Sequence, residues 1–112
     1  MKLYLDDIRN SHQTYPNDSD WFVVRNYNEF VSAIEQHFSE LEIISFDHDL
    51  ANFDSDGNEV SGYDCLKWLC GYIEDNNLYV SNLEIRFHTA NVVGKENMMC
   101  YWRNFKEHYY KD

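Results

Sequence analysis

The run Ile43-Ile44-Ser45-Phe46 stops abruptly in Asp47-His48-Asp49, and this junction constrains the fold more than any other stretch. A short run rich in β-branched and aromatic side chains reads as a strand covered on both faces, as in the middle of a parallel sheet. In open α/β sheets, ligands bind beyond the carboxyl ends of the strands. Two carboxylates and an imidazole at such an end are candidates for a site, whereas one Asp alone would read as a solvated turn. Two other strands end in the same way. Lys2-Leu3-Tyr4-Leu5 runs into Asp6-Asp7, and Leu83-Glu84-Ile85-Arg86-Phe87, alternating as an edge strand does, runs into His88-Thr89-Ala90-Asn91.

The segments between these strands set the topology. From Ile8 to Asp20 the chain carries its only proline, Pro16, among Asn, Ser, Asp and Thr, and reads as an irregular loop. Trp21-Phe22-Val23-Val24 is a second strand. Asn26 with Glu29 three residues on forms a helix start, and Tyr27, Phe30, Val31, Ile34, Phe38 and Leu41 follow at helical spacing. Ser61 with Asp64 starts another helix that buries Leu66, Leu69, Cys70 and Ile73 and ends at Asn76-Asn77. A last helix is expected from about Gly94 to Tyr109, with Met98, Trp102, Phe105 and Tyr109 as core. Between the central strand and the second helix, Asn52, Asp54, Asp56 and Gly57 match early positions of a calcium loop. The twelfth position is Tyr63 rather than a bidentate acid and no amphipathic helix precedes it, so the stretch reads as a turn.

The order β-β-α-β-α-β-α, with single helices between strands, makes right-handed parallel crossovers. The expected fold is α/β: three layers, flavodoxin-like, a mainly parallel sheet of about four strands in order 2-1-3-4 with helices on both faces. A chain of 112 residues is one domain, 1–112. If strands one, three and four are neighbours, Asp6, Asp7, Asp47, His48, Asp49, His88, Thr89 and Asn91 converge in one crevice.

Composition narrows the partners. Twenty acidic against nine basic residues give a net charge of −11, which repels phosphate backbones and anionic lipids, so general nucleic-acid coating is not expected. A small anionic ligand requires a cation or local donors to reverse the potential. Cys65, Cys70 and Cys100 are odd in number and lack CxxC spacing, which indicates neither a zinc site nor a disulfide frame. The first strand begins within two residues of Met1, and no apolar run approaches a membrane span. A reduced, cytoplasmic setting is the expectation, with the oligomeric state open.

The acidic pair after the first strand, Asp47 after the third and Thr89 after the fourth resemble the acidic pair, phosphoacceptor and switch hydroxyl of response-regulator receiver domains. More closely, Leu5-Asp6-Asp7-Ile8-Arg9, Phe46-Asp47-His48-Asp49-Leu50, Gly62-Tyr63-Asp64 with Trp68-Leu69, and His88-Thr89-Ala90-Asn91 with Val93-Gly94 resemble the family of cyclic-phosphate processing receiver domains. The resemblance spans nearly the whole chain. It implies a receiver-like sheet and a role in handling cyclic phosphates, with a small phosphorylated ligand such as a cyclic nucleotide as partner. Two features depart from true receivers: no fifth strand with a following lysine is evident, and the first helix is replaced by a loop.

Crowded carboxylates at adjacent strand ends repel unless protonated or bridged by a cation, and Mg²⁺ or Mn²⁺ prefers oxygen ligands. Asp6, Asp7 and Asp47 are the expected metal ligands. Such an ion would bind a phosphoryl oxygen and activate a water. His48 or His88 is the expected proton donor to the leaving alkoxide, with Asp49 orienting His88 or a metal-bound water. Arg9, Thr89 and Asn91 are expected phosphate contacts. Lys95 has a functional reading, as an ammonium near the site, and an ordinary one, as a solvated helix residue. Three functions are compatible with this pattern: a metal-dependent phosphoesterase opening a cyclic phosphate, a binding module without turnover, and a receiver-derived interaction domain.

Overall fold

Strand pairing fixes which side chains share a face. A computed structural model describes residues 1–109, so 110–112 of the single domain expected over 1–112 lie outside the described residues. The elements in order are β1 (Lys2–Leu5), α1 (Ser11–Thr14), β2 (Trp21–Val24), α2 (Tyr27–His37), a 3₁₀ turn (Phe38–Glu40), β3 (Ile43–Phe46), β4 (Asn52–Phe53), β5 (Glu59–Val60), α3 (Gly62–Asp75), β6 (Glu84–Phe87) and α4 (Val92–Tyr109). The four long strands form a parallel sheet in the order β2-β1-β3-β6. This is the expected 2-1-3-4, with β6 as the fourth strand at an edge.

In register, Leu3, Ile44 and Ile85 stand side by side, as do Leu5, Phe46 and Phe87. Because side chains alternate along a strand, both rows point to one face. They join Phe30, Ala33 and Ile34 of α2, Leu66, Leu69 and Ile73 of α3, and Met98 and Trp102 of α4 in one core. The opposite face presents Tyr4, Ser45 and Arg86. It is covered by the 8–20 segment, whose Thr14 Oγ1 lies 2.7 Å from Tyr4 Oη and whose Tyr15 ring stacks on Trp21 at 4.9 Å. Helices therefore lie on both faces, though unequally. Right-handed crossovers β2-α2-β3 and β3-α3-β6 advance in one direction and must use one face, while β1 to β2 steps back and must use the other.

Capping explains the helix starts. Asn26 Oδ1 accepts the Glu29 N–H at 2.9 Å, and Ser61 and Asp64 form a reciprocal capping box. Asn77, at φ 51°, closes α3 in the left-handed conformation. Three details differ from the sequence reading. The 8–20 loop contains the single helical turn α1, whose Asn10 N–H donates to Gln13 Oε1. The acidic turn after β3 is a two-stranded hairpin, β4 with β5, tied by Asp54 Oδ1 accepting the N–H groups of Asp56 and Asn58. And α4 starts at Val92 rather than Gly94, because Asn91 Oδ1 accepts the Gly94 N–H at 2.9 Å as a cap.

Two glycines of α3 differ sharply in surroundings. At Gly62 a Cβ would sit 1.7 Å from the Asp47 carbonyl oxygen, whereas at Gly71 nothing lies within 4 Å. Gly62→Ala is expected to destabilise by about 1–3 kcal/mol or more, as overpacking against backbone does. Gly71→Ala is expected to stabilise by roughly 0.5–1 kcal/mol, since Gly in a helix interior loses more entropy than Ala. Urea unfolding of the two variants checks both signs.

Candidate functional site

Parallel pairing of β1, β3 and β6 brings their carboxyl ends to one edge. There Asp6, Asp7, Ile8, Arg9, Asp47, Asp49, Ala51, Thr89, Ala90 and Asn91 line an open crevice of about 410 Å³, within the range of ~300–1,000 Å³ usual for small-molecule sites. Of the expected site residues, Asp6, Asp7, Arg9, Asp47, Asp49, Thr89 and Asn91 meet there. His48, His88 and Lys95 do not line it.

Asp6 is buried, 1% exposed. Its Oδ1 accepts the backbone N–H groups of Ile8 and Arg9 at 3.0 and 2.8 Å, and its Oδ2 accepts Arg9 Nε and His88 Nε2 at 3.0 and 3.1 Å. Burial pushes its carboxyl up, but these hydrogen bonds and the Arg9 charge outweigh burial and hold it below the ordinary carboxylate value. Asp47 sits in the opposite electrostatic situation. It is also buried, yet its Oδ1 accepts only its neighbour's His48 N–H at 2.8 Å, with Arg9 Nη2 at 3.8 Å and a hydrogen bond from Thr89. Burial first, and the Asp6 anion second, push its carboxyl above the ordinary value.

His88 stands beneath the crevice. Its side chain is 2% exposed, and the ring stacks on Tyr4 with centroids 4.3 Å apart. Burial lowers its pKa to about 4, against the opposing pull of Asp6. The neutral ring must donate from Nε2 to the Asp6 carboxylate, so Nδ1 accepts. Ser45 Oγ, 2.7 Å away, then donates to Nδ1 and accepts from Tyr15 Oη at 2.8 Å. A single direction of donation thus runs Tyr15, Ser45, His88, Asp6. The expectation that His88 faces the crevice as a proton donor is not met, because it is enclosed on both ring nitrogens.

Asp49 pairs with the other imidazole instead. His48 Nδ1 lies 2.9 Å from Asp49 Oδ1, which with Asn91 Nδ2 holds the Asp49 carboxyl below its ordinary value. The His48 ring packs over Gly94, where a Cβ would meet ring atoms at 2.6 Å. Asn91 spends its oxygen on capping α4 and its amide on Asp49, which leaves Arg9 as the expected phosphate contact with donors to spare. Lys95 lines a separate groove beside β6 with Arg86, Arg103 and Lys106.

Ligand atoms of Asp6, Asp47 and His88 lie within 4.8 Å of one another. The expected trio of Asp6, Asp7 and Asp47 is therefore divided: Asp7 lines the same crevice outside this cluster, and His88 takes the third place in the cluster that was expected for Asp7. The two oxygens of Asp6 each already accept two donors, so within this cluster the Asp47 carboxylate is the one with lone pairs to offer a hard cation. Sequence reasoning does not single out Ser45, Tyr4 and Tyr15. The one available signal was Ser45 itself, a polar residue inside an otherwise apolar run.

His88 ties the site to stability. Its unfolded value of 6.5 falls to about 4 in the fold, so unfolding takes up a proton throughout that window. Stability is then full above pH 6.5 and declines as pH falls toward 4, by roughly 3 kcal/mol at most for a shift of this size. His88→Gln should be less stable at pH 7 yet lose that slope, as urea unfolding across the window will read.

The family model described as the cyclic-phosphate processing receiver domain matches residues 1–104. A comparison with curated proteins finds no match, and a comparison with solved structures finds none.

Proposed function

The chain belongs to the cyclic-phosphate processing receiver domain family, and from that premise we propose that its crevice binds a divalent cation, Mg²⁺ or Mn²⁺, and hydrolyses a small cyclic phosphate such as a cyclic nucleotide. The observation that carries this reading is the electrostatic imbalance at Asp47: a buried carboxylate beside a second one, with its pKa raised for want of compensation, opening on a crevice that holds Arg9. A cation relieves that imbalance. Asp47 and Asp7 would hold it, with Asp6 acting from behind through Arg9 and His88.

When bound, the ion supplies Lewis-acid activation of the phosphoryl oxygen and of a water nucleophile. The protein's own groups do the rest. Arg9, with Nε fixed on Asp6 at 3.0 Å, points its remaining donors at a phosphate entering the crevice. Thr89 holds Asp47 in place. His48, oriented by Asp49 through Nδ1 at 2.9 Å, stands behind the crevice-lining Asp49 and is the imidazole assigned to protonate the leaving alkoxide, a role that requires its ring to turn from Gly94 toward the crevice. His88 keeps the Asp6 carboxylate and hence Arg9 in position. Neither imidazole lines the crevice, and this favours a second reading, a module that binds the cyclic phosphate without turnover.

Metal binding and turnover separate these readings. Mn²⁺ titration should show Asp47→Asn and Asp7→Asn each weaker than the parent. Equal affinity in Asp47→Asn would remove the acidic cluster as the site. A screen of cyclic mono- and dinucleotides with Mg²⁺ and Mn²⁺ should give metal-dependent hydrolysis, lowered by roughly 10²- to 10⁴-fold in His48→Gln with its melting temperature little changed. Saturable ligand binding without hydrolysis would establish the binding module instead.

A further inference from the structure

The sheet is closed on only one side of β6. Its inner side pairs with β3, with the N–H groups of Glu84 and His88 donating to Glu42 and Phe46 carbonyls at 2.9 and 3.0 Å. Along a parallel strand the intervening residues turn their N–H and C=O groups the other way. Those of Ile85 and Phe87 therefore face outward, and among the described residues no strand lies beside them. An open edge of this kind is a template for another chain unless it is blunted.

The groove along this edge is lined by Ile85, Arg86, Phe87, Lys95, Met99, Trp102, Arg103 and Lys106. Four of the nine Lys and Arg residues of a chain of net charge −11 meet here, and no Asp or Glu lines it. Arg86 is paired with Glu84. Lys95, Arg103 and Lys106 form no ion pair among the described residues, and Lys106 rests over the Trp102 ring at 5.7 Å. Lys95, Met99, Trp102, Arg103 and Lys106 recur at helical spacing, so α4 turns one cationic and apolar stripe toward the edge. Met99 remains 47% exposed.

We propose that this edge is a docking site for an extended acidic segment of a partner protein, which adds to β6 as a fifth strand. Main-chain hydrogen bonds to Ile85 and Phe87 supply affinity, and alternate side chains of the added strand supply selectivity. Apolar residues fit against Met99 and Phe87, and carboxylates fit Lys95, Arg103 and Lys106. The concentration of positive charge in an otherwise acidic molecule orients the encounter toward this edge. A nucleic-acid strand matches the charge but makes no use of the outward N–H groups, and Trp102, buried in the core, offers it no face for stacking.

The test uses the full chain and short synthetic peptides of alternating Glu and Val, with hydrogen exchange read at the Ile85 and Phe87 amides. Protection of both amides by the Glu-Val peptide is expected, with little from an isomer interrupted by Pro or from a Lys-Val peptide. The combined variant Lys95→Gln, Arg103→Gln, Lys106→Gln, all at exposed positions, should bind at least roughly ten-fold more weakly, equivalent to about 1.4 kcal/mol, while keeping the parent's far-ultraviolet circular dichroism; Lys95→Glu, Arg103→Glu, Lys106→Glu, the charge-reversed variant, should bind more weakly still. Absence of protection, equal binding of the Pro-interrupted peptide, or undiminished binding by the charge-reversed variant overturns the proposal. Tighter binding of an oligouridylate than of any peptide also overturns it and reassigns the groove to nucleic acid. None of these outcomes depends on metal binding or hydrolysis at the crevice.

Discussion

The Asp6 carboxylate is the point on which the crevice is assembled. Burying an unpaired carboxylate costs several kcal/mol even after relaxation, so a site built on one exists only if enough donors reach it. Four do, and each fixes a different part of the structure. The Ile8 and Arg9 amides set the path of the chain leaving β1, Arg9 Nε aims the guanidinium toward Asp47, and His88 Nε2 locks the end of β6 to the end of β1. Two carboxylates of identical type thereby acquire opposite properties a few ångströms apart. Asp6 is stabilised as an anion, and Asp47 is left wanting positive charge.

The same contacts connect the crevice to the less covered face of the sheet. Tyr15 and Ser45 lie on that face and feed the His88 to Asp6 bond, so the short 8–20 segment does more than fill space left by a missing helix. Its Tyr15 hydroxyl fixes the Ser45 rotamer, and Ser45 fixes the His88 tautomer. Arg86, over the Tyr15 ring at 5.3 Å, closes the aromatic cover from the edge strand.

The sheet order was legible because apolar runs, two capped amphipathic helices and the handedness rule leave few topologies. The meeting of Asp6, Asp7, Asp47 and Thr89 followed from that order, since strand ends in a parallel sheet share an edge. Individual roles were less legible, because they depend on which lone pairs are already spent. Asn91 carries the composition of a phosphate donor, but an Asn directly before a helix is also a cap, and the α4 amides claim it. His88 follows a strand just as His48 does, yet register aligns it with the Tyr4 and Ser45 side, where it is enclosed. Lys95 starts the right helix on the wrong face. Gly62 and Gly94 were visible only as parts of a resemblance. Their physical reason is the passage of the Asp47-His48 backbone and ring across the starts of two helices.

That double crossing has a mechanical consequence. The Asp47-His48 turn is wedged between the first turn of α3, whose Gly62 N–H donates to the His48 carbonyl at 2.7 Å, and the first turn of α4, where Gly94 makes room for the His48 ring. Neither helix has slack at these points, and both are held by the core that covers the sheet. The turn therefore moves only when the helical layer moves with it. Its local fluctuations inherit the cooperativity of the whole core, which makes it slow to open.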